Sequence, residues 1–571
     1  MIPSSSAPDS TACASPQSPA LLWLGGFVLF AVLYLVTCQD GPGWLDSGML
    51  QYRVWISNFA GARGTVVAHP LYIAVGHAAH LVPGAFCWTL NALSGLAMAA
   101  ALANLMCLMS ELTGRRWVGL LTAGLLAICH TVWWLSTIAE VYALTMVGLT
   151  AELWLLHRLL RQPRPIYVIA LGLVSGLGLA NHNFALLPLP VYGIVATGLA
   201  LQGRLPLRAL AAAAVAWIIG ASPILFLTIR MAIRTGSIEG AVSSALVGTW
   251  KDQVLNVGGA SCYFKTNLAL ISLNFLSVIG PLAIVGWIAM RRRLGPAEAA
   301  AFAAITVIHI LFVARYSVPD QFTFALPSLA MIAVAAGLGI DELARRSPRW
   351  RRAVVAACCA TFILQPTAYA AAPRVLRALG ISVQRERQLA FRDEARWFLV
   401  PWKHNEDSAR RFAAAAFRQA DPDGVILRDS AAAAALRVFQ VTEGISPGVY
   451  VEHLGRLEGR PLCRQDFEAF RRDYADRPVF VVSAAKSCTP ALLLERATFH
   501  RQPDEVLYRV VWSDDQAAVA RGSGNSAPAR DERADAVDAQ QQAPRSSAEH
   551  ESLGQRHLDE NGEIAQSRIR R

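Results

Sequence analysis

Eleven apolar runs between residues 20 and 371 constrain this chain more than any other feature. They are expected as helices near 20–38, 86–110, 117–135, 141–157, 166–181, 184–201, 209–228, 268–290, 297–314, 322–340 and 353–371. About 20 apolar residues at about 1.5 Å rise cover a hydrocarbon core. Only 16% of the 571 residues are charged, against about a quarter in a soluble domain, and the deficit lies before residue 372. The expected fold class is therefore an all-α polytopic membrane bundle of about eleven transmembrane helices, followed by a small α/β domain.

The net charge of +11 would suit a nucleic-acid binder, but the arginines sit between apolar runs. The charge therefore reads as membrane topology, and no nucleic-acid partner is expected. Alternate loops hold Arg115 and Arg116; Arg158, Arg161 and Arg164; Arg204 and Arg208; Arg291 to Arg293; and Arg345, Arg346, Arg349, Arg351 and Arg352. The opposite loops are longer and hold fewer: Arg53, Arg63, Arg230, Arg234, Lys251, Lys265 and Arg315. Arginine-rich loops stay in the cytoplasm. The N-terminus is thus expected inside, and an odd number of spans puts the chain after 372 outside the plasma (inner) membrane. Residues 1–19 carry no Lys or Arg, unlike a signal peptide. They are expected to form a disordered cytoplasmic segment, with the first span retained.

Residues 47–84 are long for a loop and too broken for a clean span. Leu50, Trp55, Ile56 and Phe59 outline one helical face, and Leu71, Val75, Ala78 and Leu81 another, so two short interfacial helices are expected. The competing reading is one span near 66–84, which His69, His77 and His80 make costly and which would invert every later loop. Together these readings make 20–371 a transmembrane domain. Beyond it, 425–427, 479–482 and 506–511 read as strands, and 404–420 and 465–474 as helices. Residues 372–515 are therefore expected as an extracytoplasmic α/β domain and 516–571 as a disordered tail. Cys463 and Cys488 lie outside the spans and are read either as a disulfide, in an oxidising compartment, or as two free thiols.

Polar side chains recur at one end of the spans: Asp40 and Asp46 after the first, His69 in the stretch that follows, and Glu140 and Tyr142 after the third. Asn181 and His182 separate the fifth and sixth, Arg230 follows the seventh, and Arg315 and Asp320 follow the ninth. Gathered together, they would form a polar cup over an apolar bundle, suited to an amphiphile with a lipid tail and a charged, hydroxylated head. Asp46 is read either as a base at the membrane face, where it stays ionised, or as the cap of a helix starting at Ser47. Glu140 is read as holding an arginine or a substrate, and Asn181 and His182 as a helix link or a substrate contact. Arg230 would clamp a phosphate bidentately, with Arg315, Lys251 and Lys265 as rivals. No cluster of metal ligands stands out, so no metal cofactor is expected.

Several short pieces, in order, carry a resemblance: Leu45-Asp46-Ser47-Gly48, Ala68-His69-Pro70-Leu71-Tyr72, Ala139-Glu140-Val141-Tyr142-Ala143-Leu144 and Gly178-Leu179-Ala180-Asn181-His182, with Leu227-Thr228-Ile229-Arg230 more weakly. With them the chain resembles the GT-C class of polytopic glycosyltransferases, and within it the family related to protein O-mannosyltransferases. The match covers residues 20–235 in motif and 268–371 in pattern. It departs at Met49, where the family often has a glutamate, and in a shorter His-Pro piece. The resemblance implies a GT-C-like fold and an inverting transferase. The donor would be a hexose such as mannose on a polyprenyl phosphate, drawn from the membrane lipid. The acceptor would be a hydroxyl of an exported protein, or of an envelope glycan or lipid. Asp46 would be the general base, with His69, Tyr72, Glu140, Tyr142, Asn181, His182 and Arg230 around the substrates. Two other classes are weighed: a transporter or flippase of lipid-linked sugars, which would carry polar residues and broken helices deep in the spans, and a non-catalytic envelope scaffold.

Overall fold

The computed structural model describes residues 18–61, 64–250, 264–316, 318–381, 389–420, 422–427, 431–452, 464–486 and 489–513. Most of the two expected disordered ends, together with Arg63, Lys251, Cys463 and Cys488, lies outside the described residues. Contacts group residues 1–510 into one body; of the second, 511–571, only 511–513 are described.

The bundle begins with α1 (Pro19–Leu35), α2 (Leu45–Trp55), α3 (Pro70–His80), α4 (Phe86–Thr113), α5 (Arg116–Ala127), α6 (His130–Ser136), α7 (Val141–Arg161) and α8 (Pro165–Asn181). It continues with α9 (Leu189–Leu201), α10 (Leu207–Thr235), α11 (Ile238–Leu246), α12 (Phe264–Ser272), α13 (Ile279–Leu294), α14 (Pro296–Arg315), α15 (Gln321–Phe324), α16 (Leu326–Arg346) and α17 (Pro348–Ala378). Proline opens α1, α3, α8, α14 and α17, where its missing N–H is no loss. Gly114 and Gly236 close α4 and α10 in the left-handed conformation that glycine adopts most readily.

Every expected span has a counterpart among the described residues. Seven helices are long and apolar enough to cross a membrane: α4, α7, residues 183–201 including α9, α10, α14, α16 and α17. Two more runs are bent pairs, α5 with α6 at 75° and residues 265–275 with α13 at 79°, and α1 and α8 are shorter apolar helices. The 47–84 stretch does form two short helices, α2 and α3, of 11 residues each, too short to be a span. Their faces are only partly as expected. The outlined residues Trp55, Ile56, Phe59 and Leu81 are exposed, whereas α2 buries Gln51 and Arg53 beside Leu50 and Val54, and α3 buries Tyr72, Ile73 and Gly76.

Helices in lipid gain little from hydrophobic association and pack through close backbone approach at small residues. On α13 and α16, a methyl group at Gly286 would strike the Ala335 carbonyl, and one at Gly339 the Leu282 carbonyl. Gly286→Leu is expected to destabilise the bundle by about 3 kcal/mol, the upper end for overpacking, because the obstacle is backbone. Thermal unfolding in detergent measures it.

Three of the arginine-rich loops meet in ion pairs at the C-terminal end of α16. Arg115, Arg293 and Arg345 reach Asp341, and Arg292, Arg293 and Arg346 reach Glu342.

The C-terminal domain contains α18 (Glu394–Leu399), α19 (Ser408–Ala420), β1 (Val425–Leu427), α20 (Ala433–Glu443), β2 (Tyr450–Glu452), α21 (Arg464–Asp473), β3 (Val479–Val481), α22 (Ala491–Arg496), β4 (Ala497–His500) and β5 (Tyr508–Trp512). The sheet order is β2-β1-β3-β5-β4, with β1 parallel to both β2 and β3, and β3 antiparallel to β5. Residues 397–403 strap this domain to the bundle. Phe398 O accepts from His130 Nε2 at 2.6 Å, Pro401 O from Thr137 Oγ1 at 2.8 Å, and the Lys403 amide donates to Thr37 O at 2.7 Å. The buried Lys403 ammonium donates to Trp397 O and Val400 O, each at 2.6 Å, which closes the strap on itself.

Candidate active site

A network of buried amides builds the site. Asn91 on α4 donates to Gln39 O (2.8 Å) and Gly41 O (3.1 Å), and its Oδ1 accepts from Gln51 Nε2 (3.0 Å) and the Ala139 amide (2.9 Å). Gln51 Oε1 accepts from the Gly43 amide at 2.9 Å, and Ser47 Oγ donates to Ala139 O at 2.9 Å. Ser94 Oγ accepts from the Glu140 amide at 2.9 Å. A well-satisfied buried network holds one geometry, and this one lays the first turn of α2 beside the turn that precedes α7.

Asp46 stands exposed in that first turn, where the helix dipole favours an anion. The helix begins at Leu45 with Trp44 as its cap, so Asp46 is not the cap of a helix starting at Ser47. Leu45 has φ 54°, a left-handed conformation uncommon for leucine. Glu140, 7% exposed, sits just before α7. Its carboxyl is pushed well above the usual range, first by burial and then by the charges of Asp46 and Asp320. Asp320, half-buried before α15, is raised to about 7 by burial and by Asp46. Three carboxyls thus converge, the charge of Asp46 acting on Glu140 and Asp320 and that of Asp320 on Glu140.

The Asp320 shift has a measurable consequence. Between the ordinary 3.8 and about 7, the folded chain holds a proton that the unfolded chain has released. Its contribution to stability therefore falls as pH rises through that window. The difference in melting temperature between the parent chain and Asp320→Asn is expected to change from about pH 4 to about pH 7 and to level off outside it, as read by melting curves across pH.

His69 and His182 form the second half of the site. His69 has φ 47°, and its Nδ1 donates to Asn181 O at 2.6 Å, which leaves Nε2 as an acceptor. His182 Nδ1 accepts from the Phe184 amide at 3.2 Å, so its Nε2 carries the proton. The rings stack at 5.5 Å. Burial, with the Arg53 charge second, lowers His69 to about 4; burial, with His69 second, lowers His182 well below its ordinary value. Both are neutral at pH 7, one offering an acceptor and the other a donor. Asn181 Nδ2 donates to Val141 O (3.0 Å) and Thr145 Oγ1 (2.8 Å). The buried Asn181 Oδ1 and Tyr72 hydroxyl oxygen have no hydrogen-bond partner among the described residues. Tyr142 packs on His182 at 5.4 Å and on Phe324 at 5.7 Å, and Phe184 and Tyr316 extend the aromatic wall at 5.3 Å and 4.6 Å from Phe324.

The structure thus brings together Asp46, His69, Tyr72, Glu140, Tyr142, Asn181 and His182. Arg230 makes no hydrogen bond with these residues. It is exposed on α10 and makes no hydrogen bond or ion pair among the described residues, although its neighbour Met231 touches Thr65 at 3.5 Å. A cation tied to the site by charge is instead Arg53, 5% exposed, whose charge is felt by His69 and which feels that of Asp46. It donates to Val67 O (2.8 Å), Ala68 O (2.5 Å) and Asn58 O (3.3 Å), pinning the turn that carries His69. Its position two helical turns after Asp46 was the available signal. The aromatic wall had no comparable signal, because Phe184 comes from the connection after α8 and Tyr316 and Phe324 from that between α14 and α16.

Residues 67–199 match the family model for the protein O-mannosyl-transferase TMEM260 N-terminal domain. That span holds six of the expected site residues but neither Asp46 nor Arg230. No curated protein sequence matches the chain. Among solved structures, the chain is similar to ArnT from Cupriavidus metallidurans bound to undecaprenyl phosphate, with TM-score 0.52 and 16% identity over 86% of this chain and 97% of that one. The apo form of the same ArnT matches with TM-score 0.52 and 17% identity over 86% of this chain and 98% of that one. At such identity the likeness is one of fold, and the fold is the GT-C-like architecture expected from the sequence.

Proposed function

We propose that a chain with this fold and this gathering of carboxyls is an inverting membrane glycosyltransferase. It moves a hexose such as mannose from a polyprenyl phosphate to a hydroxyl of an exported protein or of an envelope glycan or lipid, at the outer face of the plasma membrane. The observation that carries the reading is Asp46, exposed at the lip of an apolar bundle, with Glu140, Asp320, His69 and His182 around it. The O-mannosyl-transferase family match to residues 67–199 and the fold shared with an undecaprenyl phosphate-bound protein support it.

In the proposed reaction Asp46 takes the proton of the acceptor hydroxyl as its oxygen attacks the anomeric carbon. The new C–O bond forms as the bond to the phosphate oxygen breaks, and the phosphate leaves with that electron pair, still attached to its lipid. One displacement inverts the anomeric centre. The acceptor nitrogen of His69, the donor nitrogen of His182 and the open Asn181 and Tyr72 oxygens suit sugar hydroxyls. Arg230, exposed one residue before Met231, is proposed as the phosphate clamp. No metal is required in this scheme.

In proteoliposomes, transfer from mannosyl-phosphoryl-undecaprenol to a hydroxyl acceptor is expected, and chelation with EDTA is expected to leave it unchanged. Transfer from a nucleotide sugar alone would overturn the reading. The flippase reading draws on the two bent helix pairs, joined where Asn274 Nδ2 donates to Thr131 Oγ1 at 2.9 Å, and on Glu152 buried within α7. Movement of the lipid-linked sugar across the bilayer without transfer would favour it.

A further inference from the structure

The two residues flanking Asp46 are tied to different parts of the molecule. Ser47 is bonded to Ala139 of the bundle at 2.9 Å, whereas the Leu45 amide donates to Ala431 O of the α/β domain at 3.3 Å. Before Leu45, Trp44 is 1% exposed. Its indole N–H donates to Ser408 Oγ at 2.8 Å, and its ring lies 5.4 Å from Phe412 and 5.6 Å from the Arg392 guanidinium. Beyond Asp46, a Cβ at Gly48 would strike the Gly43 carbonyl and stand 3.1 Å from Ala434 Cβ, so α2 lies directly against α20. One turn on, the Arg437 guanidinium lies 5.5 Å from the Tyr52 ring. Leu45 holds its left-handed backbone at this joint, as residues do when their surroundings over-determine them.

We infer that the α/β domain is a positioning element for Asp46: its grip on Trp44 and Leu45 sets the backbone that aims the carboxylate at the acceptor. Trp44 and Ser408 are then positioning residues that act through Asp46, and the domain does more than hold an acceptor. The inference rests on the proposed transferase reading.

The test uses the full chain in proteoliposomes with mannosyl-phosphoryl-undecaprenol as donor. Trp44→Phe and Ser408→Ala remove the same hydrogen bond from its two ends, and Ser408→Ala also removes the hydroxyl's bond to Glu406 Oε1. Each is expected to lower kcat by about 10-fold or more, since a displacement of about 1 Å can cost about 10²-fold. The KM for donor and acceptor and the affinity for undecaprenyl phosphate are expected to stay unchanged. The double variant is expected to be no worse than Ser408→Ala alone, because the contact that Trp44→Phe removes is already lost there. Ser408→Thr, which keeps the hydroxyl, is expected to restore kcat. If one variant does not fold, the other carries the test. Unchanged kcat in the folded variants, or a rise in acceptor KM alone, overturns the inference while leaving the transferase reading intact if Asp46→Asn is inactive. Full transfer by Asp46→Asn overturns the transferase reading itself.

Discussion

Asp46→Asn is expected to lower sugar transfer by about 10²–10⁴-fold, the usual contribution of a positioned base, with the fold and donor affinity retained. The side chain is exposed, so the isosteric change removes no packing. Loss of its charge from the first turn of α2 costs about 0.3–1 kcal/mol of helix-dipole interaction, small beside the stability of a domain. Glu140 is a poor substitute in the parent chain, since burial and the charges of Asp46 and Asp320 hold its proton on. Removing Asp46 relieves one of those causes, so residual activity is expected to rise with pH as Asp320 or Glu140 ionises. Single-turnover transfer measured across pH, beside undecaprenyl phosphate binding, checks both parts. Full activity at neutral pH would mean that another group is the base.

Arg53→Ala is expected to cost about 3 kcal/mol, since hydrogen bonds to charged groups contribute about 1.5–3 kcal/mol, and to lose transfer as well. Arg53 is 5% exposed, and its guanidinium serves Asn58 O, Val67 O and Ala68 O together. Alanine leaves those carbonyls without their donor and opens a void between α2 and the 58–68 turn. Burial lowers Arg53 to about 10, opposed by Asp46, so it remains charged at neutral pH. Arg53→Lys is expected to recover little, because a point-charge ammonium cannot fork to several carbonyls. Thermal unfolding in detergent measures the stability loss. The protection of residues 58–69 from hydrogen exchange separates local release of the His69 turn from global unfolding.

The membrane architecture was legible because eleven apolar runs have one stable form in lipid, and each run became a helix or a bent pair of helices. The two bends were not legible. Each depends on a tertiary contact, such as Asn274 Oδ1 accepting from the Thr131 amide at 2.8 Å across 143 residues. In the α/β domain, β1, β3 and β5 showed as β-branched runs, but Tyr450–Glu452 and Ala497–His500 did not. Those short strands are edge strands, whose state is set by the neighbour they pair with. Of the residues that gather at the candidate site, those next to helix ends stood out along the chain. Arg53 was counted only as a loop charge, because α2 turns it inward.

Charge and hydropathy along the chain were enough to establish that it spans a membrane, that its polar groups gather at one end of the spans, and that its basic loops gather at the other. These are one-dimensional quantities, set by the cost of burying charge in hydrocarbon. Which polar groups meet was left to tertiary packing: the Asn91–Gln51 network brings Asp46 to Glu140, Arg53 turns inward while Arg230 stays exposed, and Ala431 meets Leu45 from 386 positions away. Contacts between segments so distant carry no local signal, since each depends on a partner that only the folded backbone places within reach.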